Sequence, residues 1–225
     1  MNRTIISLLA CVLTASGATP DRTYRKLTED VSLGSSYTND MRVRRWPDSP
    51  SISCMNPPKG YEAVFDAAVK QINDALTPSR FEVRPLLPNE PTAQIKFYFT
   101  TRTDYIRVMR ENELKPGDRG FDWRNWWDAN SQITKSVGIV TTDGITADQL
   151  TYNTLRTILG TLGFAGWASD QQDTIFYYTS LKPRKDLSPS DRRLIPFFYM
   201  HLKPNFERFQ VRRAYDTYWS QWRQP

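Results

Sequence analysis

The chain has 225 residues, of which 39% are hydrophobic and 24% are charged, and its formal net charge is +6 at pH 7. This length suits one domain with a sizeable core. The basic residues are interspersed with acidic ones, so no nucleic-acid partner is predicted. No apolar run approaches the roughly 20 residues of a membrane-spanning helix, which argues against an integral membrane protein.

Residues 1–18 have the pattern of a secretory signal peptide. Arg3 precedes an apolar run over residues 5–13, and small residues follow that run. We therefore expect a secreted or periplasmic protein. Residues 8–11 also resemble a lipoprotein cleavage box, which would leave a lipid anchor on Cys11. The apolar run continues beyond this cysteine, which favours soluble export.

The first part of the mature chain is predicted to wrap around the domain. Residues 19–58 are rich in Ser, Pro, Asp and Arg, and their prolines interrupt longer elements, with one strand expected at 41–46. Apolar residues at helical spacing then predict an amphipathic helix over 61–76. Alternating apolar residues predict two strands, one with Phe81 and Val83 and the next with Ile95, Phe97 and Phe99.

The middle of the chain is predicted to form a helix over 104–112, an aromatic loop over 120–130 and a strand over 137–142. Thr146 and Gln149 then form a capping box, in which side chains and backbone donors at a helix start satisfy each other. The helix that follows should end at Gly163, because glycine is the usual residue just past a helix end.

The last third of the chain is predicted to be helical. Ser188 and Pro189 mark the start of a helix, with proline at the first helical position. Residues 204–225 carry aromatic side chains at helical spacing and are expected to form a C-terminal amphipathic helix. We expect this helix to pack against its own domain, with docking to a partner or a membrane surface as the alternative.

Residues 156–164, Arg-Thr-Ile-Leu-Gly-Thr-Leu-Gly-Phe, have the frame of a zinc-peptidase helix. In the HExxHxLGF form of that motif, two histidines one turn apart bind the metal and the glutamate activates a water molecule. Alignment on Leu-Gly-Phe places Arg156 and Gly160 at the two histidine positions. It places Thr157 at the glutamate position and Gly166 at the third ligand position.

Two further segments match such peptidases in order and spacing. Residues 174–176 lie where these enzymes have a turn beneath the metal, and residues 187–193 resemble the start of their last helix. The chain thus resembles a family of exported bacterial domains of unknown function. These domains are related to zincin-like, metzincin-type zinc metallopeptidases and have lost the metal site.

This resemblance implies an α/β fold: a zincin-like domain over residues 59–203, with a mixed twisted sheet, the former active-site helix packed across it and a helical C-terminal part. A degenerate metal site at Arg156, Thr157, Gly160 and Gly166 is implied as well. The candidate residues of a former ligand cleft are Trp126, Trp127, Trp167 and Tyr177.

The residue types also argue against zinc. A catalytic zinc site needs three protein ligands, usually with at least two histidines, and His201 is the single histidine of the chain. We expect His201 to be a buried, hydrogen-bonded side chain and Cys54 to be a small buried thiol. No catalytic residue, metal ligand or cofactor is therefore predicted.

The expected function is that of a non-catalytic exported domain whose former cleft binds a peptide, a glycan or another envelope component. Two alternatives stay open. One is a hydrolase, either a peptidase or a glycosidase, with a site of another kind; a pair of carboxylates in one pocket would indicate it. The other is a structural envelope protein whose cleft is filled by its own side chains.

Overall fold

The computed structural model describes residues 22–33, 41–114, 120–168, 170–177 and 183–220. The predicted signal peptide, with its cleavage box at Cys11, and the last five residues of the predicted C-terminal helix lie outside these ranges. Within the ranges, no helix is both long enough and apolar enough to cross a membrane.

Six helices and five strands are described. The helices are α1 (Arg22–Ser32), α2 (Tyr61–Leu76), α3 (Arg102–Glu111), α4 (Ala147–Thr161), α5 (Pro189–His201) and α6 (Arg208–Tyr218). The strands are β1 (Ser51–Met55), β2 (Arg84–Pro85), β3 (Ile95–Thr100), β4 (Phe121–Trp127) and β5 (Ile133–Thr141).

All five strands form one mixed sheet in the order β2-β1-β3-β5-β4. Strands β2, β1, β3 and β5 are parallel to one another, and the edge strand β4 is antiparallel to β5. Helices α2 and α4 cover one face of the sheet and share the main core, whereas α3 covers a smaller cluster on the other face. The predicted α/β architecture, with the helix before Gly163 packed across a mixed sheet, is confirmed.

The position of α4 follows from local sequence rules. The Thr146 hydroxyl accepts a hydrogen bond from the Gln149 backbone N–H at 3.2 Å, and the Gln149 side chain accepts one from the Thr146 N–H at 2.8 Å. Gly163 ends the helix with φ of +104°, a conformation that a side chain would strain. On the sheet below, a Cβ atom at Gly138 would lie 2.8 Å from Thr157 Cγ2, so this glycine lets the helix approach closely.

Several predicted elements need correction. The expected aromatic loop over 120–130 is strand β4, whose alternation of side chains is broken by a bulge between Trp126 and Trp127. The strand expected at 41–46 is a single bridge from Arg45 to Gln132. The strand expected at Phe81 and Val83 begins only at Arg84, although both apolar side chains are buried.

Two elements escape the sequence patterns altogether. Strand β1 lies between prolines in the predicted wrapping segment, yet it is an interior strand with Ile52, Ser53 and Cys54 buried. Helix α1 lies in the same segment and packs against α6. Arg212 of α6 donates two hydrogen bonds to the buried Glu29 carboxylate, at 2.7 and 3.0 Å. The C-terminal helix therefore packs on its own domain, as predicted.

Candidate functional site

The first position of the predicted degenerate metal site is occupied by a buried cation. Arg156 is fully buried on α4, and its guanidinium donates to the carbonyl oxygens of Phe164 at 2.9 Å and Gly166 at 2.6 Å. The guanidinium carbon lies 4.5 Å from the ring centre of Trp123 and 4.3 Å from that of Trp167. Such cation–π contacts gain strength when the cation is removed from water.

The chain beyond α4 turns back to supply the two carbonyl groups. After Gly163, the backbone N–H of Phe164 donates to Leu159 O at 3.1 Å, which fixes the start of this return segment. The N–H of Ala168 donates to Phe176 O at 2.9 Å, which fixes its end. Carbonyl groups that would otherwise be buried without donors thus face Arg156, and the cation satisfies them.

The second metal position is covered by an aromatic ring. Gly160 lies directly beneath the indole of Trp123, and a Cβ atom there would overlap the ring. Asn125, also on β4, donates from Nδ2 to the Gly160 carbonyl at 2.9 Å. Strand β4 therefore packs on α4 at Gly160, which the alignment placed at the second histidine position.

The third metal position is closed by α1. The backbone N–H of Gly166 donates to Val31 O at 3.2 Å, and a Cβ atom at Gly166 would overlap the Asp30 backbone. Thr157, at the position of the general base, is fully buried against Gly138, and its Oγ1 atom makes no hydrogen bond with a described residue. Thr157 thus faces the sheet, away from any solvent-filled cleft.

These residues do not fit a zinc ion. A zinc site requires nitrogen, sulfur or carboxylate donors, whereas Arg156 presents a cation and the two glycines present no side chain. Over the described ranges, no group of three or more His, Cys, Asp or Glu residues could hold a metal. No metal-dependent step can therefore be assigned to this position.

The four predicted cleft residues are divided between the two faces of the sheet. Trp167 and Tyr177 pack against the main core, and the Tyr177 carbonyl accepts a hydrogen bond from Tyr152 at 3.1 Å. Trp126 packs against the smaller cluster beneath α3. Trp127 lies past the bulge and is 41% exposed.

Positively charged side chains lie over the rings of Trp126 and Trp127, the last two residues of β4. The guanidinium of Arg44 lies 3.9 Å from the Trp127 ring centre. Arg124 and Lys135 lie 4.7 and 4.6 Å from that of Trp126. We call these five residues the cationic indole strip. The sequence suggested the tryptophans, but Arg44 comes from a distant segment, and Lys135 comes from the neighbouring strand β5, where it lies opposite Trp126.

A buried carboxylate lies in the first turn of α5. Asp191, at the start of α5, accepts hydrogen bonds from the Thr174 hydroxyl, from the Ile175 N–H at 3.0 Å and from the Ser188 N–H and hydroxyl, both at 2.8 Å. Burial raises the pKa of the Asp191 carboxyl, and these hydrogen bonds oppose that shift. In the sequence, the helix-start pattern at residues 187–193 indicated the contact between Ser188 and Asp191.

The two residues considered as unusual ligands have structural surroundings. The half-buried His201 ring stacks on Tyr218 with a centroid distance of 4.5 Å, and burial lowers the pKa of the imidazole. Cys54 is buried, as expected, and its burial raises the pKa of the thiol to about 12, with Glu62 and Asp66 adding to the shift.

No protein-family model matches the chain. No curated protein matches it either. The chain is similar to two solved structures of myroilysin, each at 11% identity. One has a TM-score of 0.40 and the match covers 69% of this chain and 95% of that chain; the other has a TM-score of 0.39 and covers 76% and 92%. This likeness is distant, and what the site can do follows from its own residues.

Proposed function

We propose that this chain is a non-catalytic, zincin-like exported domain that binds an anionic component of the cell envelope, either an acidic glycan or an acidic peptide. In this proposal the former metal position serves the stability of the domain. The binding surface is the cationic indole strip at the exposed end of β4.

The observation that carries the non-catalytic part is the surroundings of Arg156. Hydrolysis by a zinc peptidase needs a metal-bound water, and the metal must be held by donor side chains. At the corresponding positions this chain has a guanidinium satisfied by two carbonyl groups and two glycines pressed against neighbouring backbone or rings. These contacts favour a stabilising role over a catalytic one.

The observation that supports a binding role is the pairing of cations with indoles in the strip. Trp127 is exposed and Trp126 is half-buried, and aromatic rings at a protein surface suit contact with a sugar or a planar side chain. Positive charges beside the rings favour a carboxylate or phosphate on the ligand. An anionic partner also agrees with the net charge of +6.

Binding of soluble polyanions tests this proposal. Polygalacturonate and poly-glutamate represent the glycan and the peptide, and dextran serves as the neutral control. We expect saturable binding of one polyanion, weakened several-fold in the double variant Arg124→Gln/Lys135→Gln and unchanged in Arg110→Gln on α3. Equal binding by the wild type and the double variant would contradict the role of the strip, and hydrolysis of either polymer would contradict the non-catalytic assignment.

The filled cleft favours a second candidate, a purely structural envelope protein. The rings and backbone around Arg156 occupy the space that a ligand would need. This candidate predicts no binding of either polyanion, together with a lower free energy of unfolding when Arg156 is replaced.

A further inference from the structure

An open pocket of about 540 Å³ lies on the other side of the domain from β4, between α2 and the chain that follows β2. It shares no residue with the surroundings of Arg156 or with the cationic indole strip. Its lining consists of Cys54, Glu62, Phe65, Asp66, Pro85, Leu86, Leu87 and Pro88. Its volume falls within the range of about 300 to 1,000 Å³ that is usual for small-molecule sites.

Five of the eight lining residues of this pocket are apolar: Phe65, Pro85, Leu86, Leu87 and Pro88. Phe65 and Cys54 are buried and form its inner part, while Leu86 and Leu87 follow β2 on the outer side. Leu87 is 80% exposed, the largest value among the exposed large hydrophobic residues described. A leucine this exposed beside a pocket would bury apolar surface when an apolar ligand enters.

Two carboxylates give the pocket its charge. Glu62 and Asp66 lie one turn apart on α2, with Cβ atoms about 5–6 Å apart as for any such helical pair. Neither forms an ion pair with a described residue. On the same helix, by contrast, Asp74 is paired with Lys70 at 2.7 Å. Among the described residues, no Lys or Arg thus pairs with the two acids at the pocket.

We propose that this pocket binds a small amphipathic cation, a primary amine carried on an aliphatic body. The ammonium group would lie between Glu62 and Asp66, and the aliphatic body would lie along Leu86, Leu87 and Phe65. An ammonium group suits the pair because its three N–H donors can reach both carboxylates at once.

Two other ligands for a carboxylate pair fit this pocket less well. A sugar would need hydrogen-bonding groups for its hydroxyls, but apart from the two acids the lining is apolar except for the Cys54 thiol. The carboxylate pair therefore lacks the other parts of a glycosidase site. A calcium ion would need six to eight oxygen ligands, and the lining offers only the two carboxylates as charged oxygen donors.

The test is an NMR titration of the full chain with three probes that share one aliphatic body: octylamine, octanol and octanoate. We expect octylamine to shift the amide signals of α2 and of residues 86–87 to saturation, octanol to bind at least about fivefold more weakly, and octanoate not to bind. High salt should weaken octylamine binding, because the carboxylates are exposed.

Variants separate the two halves of the site. Glu62→Gln/Asp66→Asn should weaken octylamine binding to the level of octanol. Leu87→Ala should weaken both probes and leave the fold intact, because this side chain is exposed. The matched control, Glu111→Gln on α3, should change neither. Equal binding of octylamine and octanol, an unchanged affinity in the acidic double variant, or no saturation by octylamine would each overturn the proposal.

Discussion

Arg156 and Asp191 are both buried ionisable residues, but neighbouring groups satisfy their side chains in different ways. The described contacts of Arg156 are two carbonyl oxygens and the faces of three rings. Those of Asp191 are N–H and O–H donors from Thr174, Ile175 and Ser188. In both places, the fold holds neutral groups in position around the buried side chain. These groups stabilise it, a role that is often assigned to a counterion.

The difference between the two sites lies in where their partners come from. The hydroxyl and N–H of Ser188 are three residues from Asp191, so half of that site is a helix cap. The rings around Arg156 come from β4 and from the chain after α4. A local motif therefore builds half of the anion site, whereas the cation site combines the return segment after α4 with one ring from the sheet.

The largest expected effect comes from Asp191→Asn. The amide keeps the shape of the carboxyl but turns an –NH₂ group toward N–H and O–H donors. We expect a loss of about 4 kcal/mol in the free energy of unfolding, measured by urea denaturation. Asp186→Asn, at an exposed aspartate, should change it by less than about 0.5 kcal/mol. A loss below about 1 kcal/mol for Asp191→Asn would mean that this carboxyl is not the centre of its network.

Replacement of Arg156 tests the cation site in the same way. Arg156→Met keeps an unbranched chain of similar length and leaves two buried carbonyl groups without donors. We expect a loss of about 3 kcal/mol, and a smaller loss for Arg156→Lys, which keeps the charge but not the forked donors. Arg110→Met, on the exposed face of α3, is the control and should be nearly neutral. An equally small loss for Arg156→Met would show that the site contributes little to stability.

Gly160→Ala tests the contact of β4 with α4 beside Arg156. The added methyl group would overlap the Trp123 ring, and we expect a loss of about 2 kcal/mol. In a Trp123→Ala background the same substitution should cost much less, because the ring has gone. Equal costs in the two backgrounds, compared in a double-mutant cycle, would contradict the close approach of this ring.

The smallest effect concerns Cys54, a buried ionisable group that remains neutral. Burial raises the pKa of its thiol from about 9 to about 12, so the folded state binds the proton more tightly than the unfolded state does. The stabilisation is complete below pH 9 and is lost as pH rises toward 12. We expect a thiol reagent at pH 8 to label Cys54 only on unfolding. Rapid labelling of the folded chain would contradict this pKa direction.

The sequence predicted the elements whose rules are local. The capping box at Thr146, the end at Gly163 and the apolar stripe of α2 each follow from residues within a few positions of one another. The motif frame also pointed to Arg156 and Gly160. The motif could not predict the surroundings of these two residues, because Trp123 is far from them in the chain. Its strand, β4, was predicted to be a loop. Strand β1 was not predicted, because it is short and the prolines on either side of it are typical of irregular segments.

The most direct test of the account is the zinc content of the purified chain after exhaustive dialysis, measured by elemental mass spectrometry. If the Arg156 guanidinium takes the place of a metal, zinc should be far below one ion per chain, both in the wild type and in Arg156→Met. Near-stoichiometric zinc in the wild type would contradict the account and would indicate that the chain binds a metal.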